Sequence, residues 1–388
     1  MTPRILVIAG SDSGGGAGIQ ADIKTITMLG GHAMTAITSV TAQNTVGVEA
    51  VHAIPTDIVI AQIDAVVRDI GADAVKIGMI GSAETARAVA EYLRDASEVP
   101  IVFDPVMVAT SGAALADEET IAAFGTLMDR ATIVTPNLPE LAALAGVNGL
   151  DDAVAAALKL VSDHRCAVMI KGGHDEGDDL VDALIEEDNM TSWQGSRIDT
   201  PHTHGTGCTL ASAIAVFLAN GCELPTAVNR AREFVRLSLL GAPGLGQGSG
   251  PMGQGSVATG WGTGLQLNQV TVCMDDYEAS TAFYRSLGLK QIVANAPDYA
   301  RFEAAGGATV SIHHDPQFRT AGGTTIYFEC LDLDAEVERL ALGGLEFAQR
   351  PTDQPWLWRE ARLYDPFGNT ICLYHAGENR RYPPWRMT

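Results

Sequence analysis

Apolar and polar positions alternate in blocks along the first 250 residues of the chain. Short continuous apolar runs, typical of strands buried on both faces, are followed by stretches whose apolar residues recur at helical spacing. The predicted strands include 5–10, 36–42, 74–78, 100–105 and 167–171, and the predicted helices include 19–29, 54–65 and 83–93. Buried strands that alternate with amphipathic helices indicate a parallel sheet covered on both faces.

Polar or glycine residues follow several of these predicted strands directly. They are Gly10, Gln43 with Asn44, Asp104, Asn137 with Glu140, and Lys171. In open α/β sheets the binding crevice lies outside the carboxyl ends of the strands. The pattern therefore predicts a binding site at this edge of the sheet.

Two glycine-containing segments are candidates for contact with a phosphate group. Residues 203–209 lead directly into the apolar run 210–218, and a helix that begins there presents unpaired N–H groups and a positive dipole end. Residues 9–18 form a Gly-rich loop after the first strand, without the Lys-Ser/Thr of a Walker loop. Taken alone, each segment is also consistent with a tight turn before a buried helix.

A glycine-rich stretch separates this region from a differently patterned one. Ten of the 24 residues from Gly241 to Gly264 are glycine. We predict a first domain over residues 1–245, a linker over 246–264, and a second domain with a C-terminal tail over 265–388. The second domain contains short strands and two helices in the order βαβββ, repeated once after about 55 residues.

Composition and charge restrict the classes of function. The formal net charge of -22 argues against a nucleic-acid-binding or anionic-membrane surface. No stretch approaches 18 apolar residues and no signal peptide is recognisable, so no membrane span is expected. The six cysteines are scattered without a CxxC pair, which favours reduced thiols in a cytoplasmic protein and disfavours structural zinc.

Motifs in a fixed order give the first domain a family resemblance. They are residues 9–24 (AGSDSGGGAGIQADIK), 41–45 (TAQNT), 76–79 (KIGM), 104–107 (DPVM), 135–140 (TPNLPE), 171–174 (KGGH) and 204–209 (HGTGCT). The domain resembles the hydroxymethylpyrimidine/phosphomethylpyrimidine kinases of thiamine biosynthesis, members of the ribokinase-like superfamily. The resemblance implies an α/β fold, a three-layer αβα domain with a central, mostly parallel sheet. It also implies that ATP and Mg²⁺ are used to phosphorylate 4-amino-5-hydroxymethyl-2-methylpyrimidine, and then its monophosphate to the diphosphate.

The resemblance assigns catalytic roles near the second glycine segment. Cys208 is expected to be the base, with a pKa lowered by the helix N-terminus. Gly205, Thr206 and Gly207 are expected to form the anion hole with it, and Lys171 to supply a point charge. The alternative for Cys208 is a buried structural cysteine.

The same resemblance assigns residues that bind the substrates. The Gln43 carboxamide suits the ring nitrogen and amino group of an aminopyrimidine. The expected substrate contacts are Gln43, Asp22, Gly10, Met79 and Val106, and the expected ATP and Mg²⁺ contacts are Asp104, Asn137, Glu140, Lys171 and Thr206. Magnesium is expected to be held through waters and one or two of these groups rather than in a direct protein cage. The alternatives are a turn-forming Gln43, a helix-face carboxylate at Asp22, and strand-end caps for the rest. Pyridoxal or pyridoxine kinase is the nearest competing activity.

The second domain resembles the glyoxalase/bleomycin-resistance/extradiol-dioxygenase type, the α+β vicinal-oxygen-chelate fold of paired βαβββ repeats. The resemblance is carried by residues 267–270 (LNQV), 282–289 (AFYRSLGL) and 364–374 (YDPFGNTICLY). The metal-ligand positions of that fold register with Gln269, Ser311, Thr325 and Cys372, of which only Gln269 is of a usual ligand type. This favours small-molecule binding without metal, with a pocket of Gln269, Trp356, Trp358 and Tyr374, although ordinary strand packing explains the aromatic residues equally well.

Three organisations of the whole chain follow. The first is a kinase with a fused metal-free binding domain. The second is a bifunctional protein whose C-terminal domain is a metal-dependent lyase or dioxygenase, and the third is a binding module on a retired kinase scaffold, which the intact motif set disfavours. By analogy with the chelate fold, we expect a homodimer.

Overall fold

The computed structural model describes residues 2–95, 99–109, 112–147, 152–172, 179–259, 269–304, 308–314, 324–380 and 384–385. The chain forms two compact units, Met1–Ala258 and Thr259–Thr388. No helix in the described ranges is long and apolar enough to cross a membrane.

The first unit is built on a nine-stranded sheet. Its strands are β1 (Arg4–Asp12), β2 (His32–Gln43), β3 (Val48–Ala53), β4 (Ala74–Ile77), β5 (Ile101–Phe103), β6 (Ile133–Val134), β7 (Ala167–Ile170), β8 (Asp179–Ile185) and β9 (Met190–Ser196), in the order β3-β2-β1-β4-β5-β6-β7-β8-β9. The six central strands pair in parallel, in the order β2, β1, β4, β5, β6 and β7. At one edge β3 pairs antiparallel with β2, and at the other β8 pairs antiparallel with β7 and β9 with β8. The prediction of a mostly parallel sheet is confirmed. The edge strands β3 and β9 were not predicted, because neither contains the continuous run of buried apolar residues by which the central strands were identified.

Helices cover both faces of this sheet. They are α1 (Gly18–Met28), α2 (Thr56–Asp69), α3 (Ala83–Tyr92), α4 (Glu118–Met128), α5 (Leu138–Ala145), α6 (Ala153–His164), α7 (Thr206–Ala219), α8 (Leu224–Leu240) and α9 (Gln254–Thr259). The starts of α3, α4 and α6 are capped by Ser82, Asp117 and Asp152, whose side chains accept a main-chain N–H of the first turn.

The central strand shows why the sheet needs both helical layers. Leu6 and Ile8 belong to one apolar cluster, and Ile5 and Val7 belong to the other. All four side chains are fully buried, because successive strand residues point to opposite faces. The continuous apolar run of the sequence is therefore divided between two cores, as expected for a three-layer αβα domain.

Part of the segment predicted as a linker belongs to the first unit. The Gly253 N–H donates to the Ser238 carbonyl at 2.9 Å, and the Gln254 amide donates to Thr209 Oγ1 at 3.1 Å. Met252 is buried. The compact unit therefore extends to Ala258 instead of ending at 245. Glycine allows this packing, because a side chain at Gly248 would overlap the Thr45 carbonyl.

The second unit contains two four-stranded sheets of identical topology. The first sheet has β10 (Gln269–Met274), β11 (Lys290–Asn295), β12 (Tyr299–Glu303) and β13 (Thr309–His314), with α10 (Tyr277–Ser286) after β10. The second has β14 (Thr325–Glu329), β15 (Gln349–Asp353), β16 (Arg359–Tyr364) and β17 (Thr370–His375), with α11 (Leu333–Leu342) after β14. In each sheet the first strand pairs with the fourth, so the predicted pair of βαβββ repeats is present.

A buried polar cluster joins the two repeats. The Tyr284 hydroxyl of α10 donates to Asp365 Oδ2 at 3.0 Å, and the Asn369 amide donates to the same carboxylate at 2.7 Å and to the Cys273 carbonyl at 3.0 Å. Tyr284 is fully buried and Asp365 nearly so. Burial and the neighbouring carboxylate raise the pKa of Tyr284 far above its usual value, so its hydroxyl remains a hydrogen-bond donor.

We expect Tyr284→Phe to destabilise the second unit by about 1–2 kcal/mol, because it removes a donor from a buried carboxylate. Urea unfolding of the full chain, followed by a probe in the second unit, measures the change. Tyr277→Phe on the same helix is the matched control, since its hydroxyl lies 3.4 Å from the Gln291 amide in a more open setting. Equal stability of the two variants would contradict this account.

Candidate active site

The strand ends of the first unit converge as the sequence predicts. Asp12 ends β1, Gln43 ends β2, and Met79, Asp104 and Lys171 follow β4, β5 and β7. The parallel strands β2, β1, β4, β5, β6 and β7 are neighbours in that order, so these residues share one edge of the sheet. Helix α7 begins at the same edge.

The N-terminus of α7 presents main-chain N–H groups without a capping side chain. Its N-cap, Gly205, has a φ of 88°, a backbone conformation that favours glycine. The first turn contains no acidic residue. Gly207 and Cys208 lie in this turn, where N–H groups have no acceptor within the helix. These are the N–H groups that the sequence assigns to an anion hole, which stays a prediction.

Two charged side chains lie against this helix start. Lys171 Nζ is 3.5 Å from Asp104 Oδ1, and a Cβ placed on Gly207 would lie 3.1 Å from Asp104 Oδ2 and 3.5 Å from Lys171 Nζ. Asp104 is 3% exposed and also accepts from Thr135 Oγ1 at 3.4 Å. Glycine at 207 thus permits the carboxylate and the ammonium to approach the helix N-terminus.

Asn137 and Glu140 form a capping box at the start of α5. Asn137 Oδ1 accepts the Glu140 N–H at 2.8 Å, and Glu140 Oε2 accepts the Asn137 N–H at 2.8 Å. Burial, reinforced by Asp104, raises the pKa of Glu140 to about 6, although Lys171 opposes the shift. The Asn137 carboxamide oxygen thus caps the helix, and the expectation that Asn137 also contacts the nucleotide or metal stays a prediction.

The environment of the Cys208 thiol differs from the expectation. Burial raises the pKa of Cys208 to about 12, even though the Lys76 ammonium and a hydrogen bond from the Gly18 main chain act to lower it. In the protein without bound substrate the thiol is therefore protonated at neutral pH. The predicted lowering of the pKa by the helix N-terminus is wrong, because desolvation of the thiolate outweighs it.

A buried ion pair lies against helix α7. Lys76 Nζ of β4 is 3.0 Å from Asp22 Oδ2 of α1, and Ser212 Oγ of α7 donates to Asp22 Oδ1 at 2.7 Å. Lys76 and Asp22 are both 0% exposed. Burial alone would lower the pKa of Lys76, but the Asp22 carboxylate raises it above its usual value. The expectation that Asp22 contacts the substrate is corrected, because both of its oxygens are occupied below the site.

Asp12 and His204 tie the two glycine-containing segments together. Asp12 Oδ1 accepts the Gly14 N–H at 2.8 Å, and Oδ2 accepts the Gly16 and Ala17 N–H groups at 3.0 and 2.8 Å. His204 Nε2 lies 3.0 Å from the same Oδ2. Burial alone would raise the pKa of Asp12, but hydrogen bonds from His204 and the loop amides lower it below its usual value.

The predicted substrate residues are placed around this pair of segments. Gln43 Nε2 is 3.1 Å from His204 Nε2, at the mouth of the Gly-rich loop. A Cβ on Gly10 would lie 3.0 Å from Met79 Sδ, so Gly10 and Met79 are in contact distance. Val106 lies in the turn after Asp104, where its N–H donates to the Asp104 carbonyl at 2.8 Å.

Sequence reasoning gave no separate role to Lys76, Asp12, His204 or Ser212. The first three stand inside the quoted motifs, and a charged residue within a buried strand (Lys76) is a signal that could have identified the ion pair. Ser212 lies on the apolar helix α7 without any such signal.

The residues predicted for the second unit fall into two groups. Gln269 Nε2 donates to Ser311 Oγ at 3.2 Å on the first sheet. On the second sheet Trp358 and Tyr374 stack with ring centroids 4.7 Å apart, and Tyr327 packs edge-on against both. Trp356 Nε1 donates to the buried Glu360 at 2.8 Å. Among the described residues, no group of three His, Cys, Asp or Glu side chains is placed to hold a metal ion.

Replacing Lys76 with Met should destabilise the first unit by about 3–5 kcal/mol, because Asp22 keeps a buried charge without its partner. Lys76→Met combined with Asp22→Asn should cost clearly less than the sum of the single changes, since the double variant buries no charge. Chemical denaturation of the four proteins in this cycle measures the coupling. If the two single changes in the free energy of unfolding add up to that of the double variant, Lys76 and Asp22 do not stabilise the fold through their ion pair.

Comparison with known proteins gives two family matches. The family described as phosphomethylpyrimidine kinase matches residues 12–253. The glyoxalase/bleomycin resistance protein/dioxygenase superfamily matches residues 266–373. The hydroxymethylpyrimidine/phosphomethylpyrimidine kinase of Streptomyces coelicolor is 47% identical over 258 residues, 65% of this chain and 94% of the relative. A thiamine biosynthesis bifunctional protein, ThiED of Geobacter sulfurreducens, is 44% identical over 254 residues, 64% of this chain and 51% of the relative.

Solved structures show the same fold for the first unit. An ADP complex of Bacillus subtilis pyridoxal kinase superposes with a TM-score of 0.62 and 34% identity, covering 66% of this chain and 99% of that one. Staphylococcus aureus pyridoxal kinase in complex with AMP-PCP and pyridoxal gives a TM-score of 0.60 and 31% identity, covering 66% and 95%. The predicted ribokinase-like fold is confirmed by these superpositions. With its fold, its strand-end site and its matched residues, this chain belongs to the phosphomethylpyrimidine kinase family, a family of phosphotransferases, and carries a C-terminal glyoxalase-type domain.

Proposed function

We propose that the first unit transfers the γ-phosphoryl group of ATP to the hydroxymethyl group of 4-amino-5-hydroxymethyl-2-methylpyrimidine, and then phosphorylates the monophosphate to the diphosphate. The observation that carries this proposal is the uncapped N-terminus of α7 beside Asp104 and Lys171. An N-terminus with no acidic residue in its first turn suits the charge of a transferring phosphoryl group. The 47% identity to the Streptomyces coelicolor kinase supports the choice of substrate.

The residues around the anion hole have separable roles in this proposal. The N–H groups of residues 205–208 bind the transferring phosphoryl group, with Thr206 at the phosphates and Lys171 neutralising charge. Gln43 binds the aminopyrimidine edge, with Gly10, Met79 and Val106 beside the ring. Lys76 and Asp22 hold the floor of the site and do not contact the substrate.

The donor set near Lys171 fits a magnesium ion. Asp104 and Glu140 supply hard carboxylate oxygens. Burial, and to a smaller extent the Asp104 charge, raises the pKa of Glu140, and a cation would offset both effects. Glu140 already accepts main-chain N–H groups from Asn137 and Met107, so it suits contact through water. When bound, Mg²⁺ would neutralise phosphate charge during the transfer.

The thiolate form of Cys208 is proposed to take the proton of the substrate hydroxyl, which returns Cys208 to its thiol form. Because its pKa is about 12 in the free protein, only a small fraction is thiolate at pH 7. As long as the pH stays below that pKa, each increase of one pH unit raises the fraction of thiolate about tenfold. A catalytic role as base therefore predicts a rate that increases with pH.

We expect Cys208→Ala to lower kcat by about 10²–10⁴-fold with a smaller change in KM, as is typical of a lost general base. In the unsubstituted protein kcat should increase between about pH 6.5 and 9, because the thiolate fraction increases there. Steady-state kinetics with the aminopyrimidine and ATP measure both effects. Cys208→Ala turnover within threefold of the unsubstituted protein would refute the assignment, and Cys222→Ala, a cysteine outside the site, is the control.

Pyridoxal kinase is the competing activity, since both solved structures described above are pyridoxal kinases. The proposal favours the aminopyrimidine because the sequence relative with the higher identity is named for it. The two activities differ in the ring edge presented to Gln43, and direct comparison of substrates separates them.

For the second unit we propose binding of a planar small molecule without a metal ion. Gln269, the one residue of usual ligand type, donates to Ser311. Burial raises the pKa of the Cys372 thiol to about 12, so a metal ion there would have to displace a tightly held proton. The exposed edge of Tyr327 beside the Trp358–Tyr374 stack offers an aromatic surface instead.

We expect the full chain to retain less than about 0.1 equivalent of Zn²⁺, Mn²⁺, Fe²⁺ or Ni²⁺ after dialysis, because its second unit lacks charged ligands at the expected positions. Elemental analysis of the dialysed protein provides the measurement. One equivalent of metal, lost on Gln269→Ala but kept on Gln291→Ala, would instead support a metal-dependent lyase or dioxygenase.

A further inference from the structure

The Gln43 carboxamide lies between the side chains of Thr41 and His204. Each of these side chains also contacts a second group, which determines whether it can donate a hydrogen bond to Gln43 or accept one. The structure places Gln43 Oε1 3.1 Å from Thr41 Oγ1 and Gln43 Nε2 3.1 Å from His204 Nε2, and the other partners of Thr41 and His204 favour the reverse placement of the two amide atoms. A half-turn about the last side-chain bond exchanges the oxygen and the nitrogen of the carboxamide without moving any neighbour. Hydrogen-bond chemistry therefore decides which end faces which neighbour.

The Thr41 hydroxyl fixes one end. Its oxygen lies 3.0 Å from the Ser11 carbonyl oxygen. A carbonyl oxygen can only accept, and a hydroxyl has a single hydrogen, so Thr41 donates that hydrogen to Ser11. The Gln43 atom that faces Thr41 must then be a donor, which is the amide nitrogen.

The His204 ring fixes the other end independently. Its Nε2 lies 3.0 Å from Asp12 Oδ2, an oxygen that already accepts two main-chain N–H groups of the Gly-rich loop. A carboxylate oxygen can only accept, so Nε2 carries a hydrogen and points it at Asp12. The lowered pKa of Asp12 keeps that group ionised. A protonated Nε2 has no lone pair, so it cannot accept from an amide N–H, and two N–H groups would face each other if the Gln43 nitrogen lay there. The amide oxygen is therefore the better neighbour for His204, where it shares the hydrogen that points at Asp12.

We infer that Thr41 and His204 are positioning residues that lock the Gln43 carboxamide with its oxygen toward His204 and its nitrogen toward Thr41, and so select a ring with an amino group next to a ring nitrogen. Thr41, through its hydrogen bond to Ser11, and His204, through its contact with Asp12, independently favour the same orientation of the carboxamide. One N–H and one oxygen lone pair of Gln43 remain for a ligand. They match a ring nitrogen on the Thr41 side and an amino group on the His204 side.

This inference rests on the proposed aminopyrimidine kinase activity and deepens it. A ring without the amino group leaves the Gln43 oxygen without a donor, which costs affinity as an unpaired polar group. A vitamin B6 alcohol has no amino group beside its ring nitrogen and meets the same mismatch. If the carboxamide could turn freely, the discrimination would weaken, because the amide could present either end.

The first experiment tests the orientation without any substrate. The nitrogen resonances of the His204 ring, assigned by comparison with His204→Gln, are recorded in the ligand-free full chain near pH 7.5. The expected result is a hydrogen on Nε2. An unprotonated Nε2 would overturn the inference, because the amide nitrogen could then donate to it.

The second experiment tests the effect on specificity. The ratio of kcat/KM for the aminopyrimidine to kcat/KM for its analogue without the amino group is measured for Thr41→Val, Thr41→Ser and Thr25→Val. Thr41→Val should lower this ratio about tenfold, and Thr41→Ser should restore it. Thr25→Val is the matched control, since Thr25 is a buried threonine whose hydroxyl has no partner.

The outcomes separate the inference from the proposed function. A parallel loss of both rates in Thr41→Val, with an unchanged ratio, would show a structural role and overturn the inference. Phosphorylation of pyridoxal but not of the aminopyrimidine by the unsubstituted chain would refute the proposed function. In that case the His204 resonance still decides the orientation of Gln43 by itself.

Discussion

The close approach of two glycine-containing loops is the constraint on which the first unit depends. Asp12 draws three main-chain N–H groups of the Gly-rich loop around its carboxylate and holds His204 against them. A side chain at Gly16 would overlap the His204 ring, and one at Gly205 would overlap the Gly16 carbonyl. These contacts place the start of α7 opposite the end of β2. The N-terminus of α7 and Gln43 are therefore close together because the glycines allow the two backbones to approach each other.

The sequence allowed prediction of the features that depend on local pattern. The buried strands β1 and β7 contain continuous apolar runs, β4 is apolar except for Lys76, and the polar residues after these strands marked one edge of the sheet. Chain order and helical spacing were sufficient for the three-layer fold and for the paired βαβββ repeats. Edge strands such as β3 were not predicted, because exposed residues paired by hydrogen bonds alone leave no hydrophobic periodicity.

Features that depend on long-range burial were not predictable from pattern. Cys208 has the position expected for a thiolate, yet its desolvation, with Asp22 and Asp104 nearby, keeps it protonated. Asp22 carries the family motif but pairs with Lys76, 54 residues away in the chain. The glycine-rich residues 246–258 have the composition of a linker, whereas their lack of side chains allows them to pack against the first unit.

The central claim is that the first unit phosphorylates an aminopyrimidine alcohol and then its monophosphate. The most direct test incubates the full chain with ATP and, in parallel, the aminopyrimidine alcohol, its monophosphate or pyridoxal, and identifies the products by mass. The account predicts the monophosphate from the alcohol, the diphosphate from the monophosphate, and a higher kcat/KM for the alcohol than for pyridoxal. Phosphorylation of pyridoxal alone, or of none of the three, would contradict it.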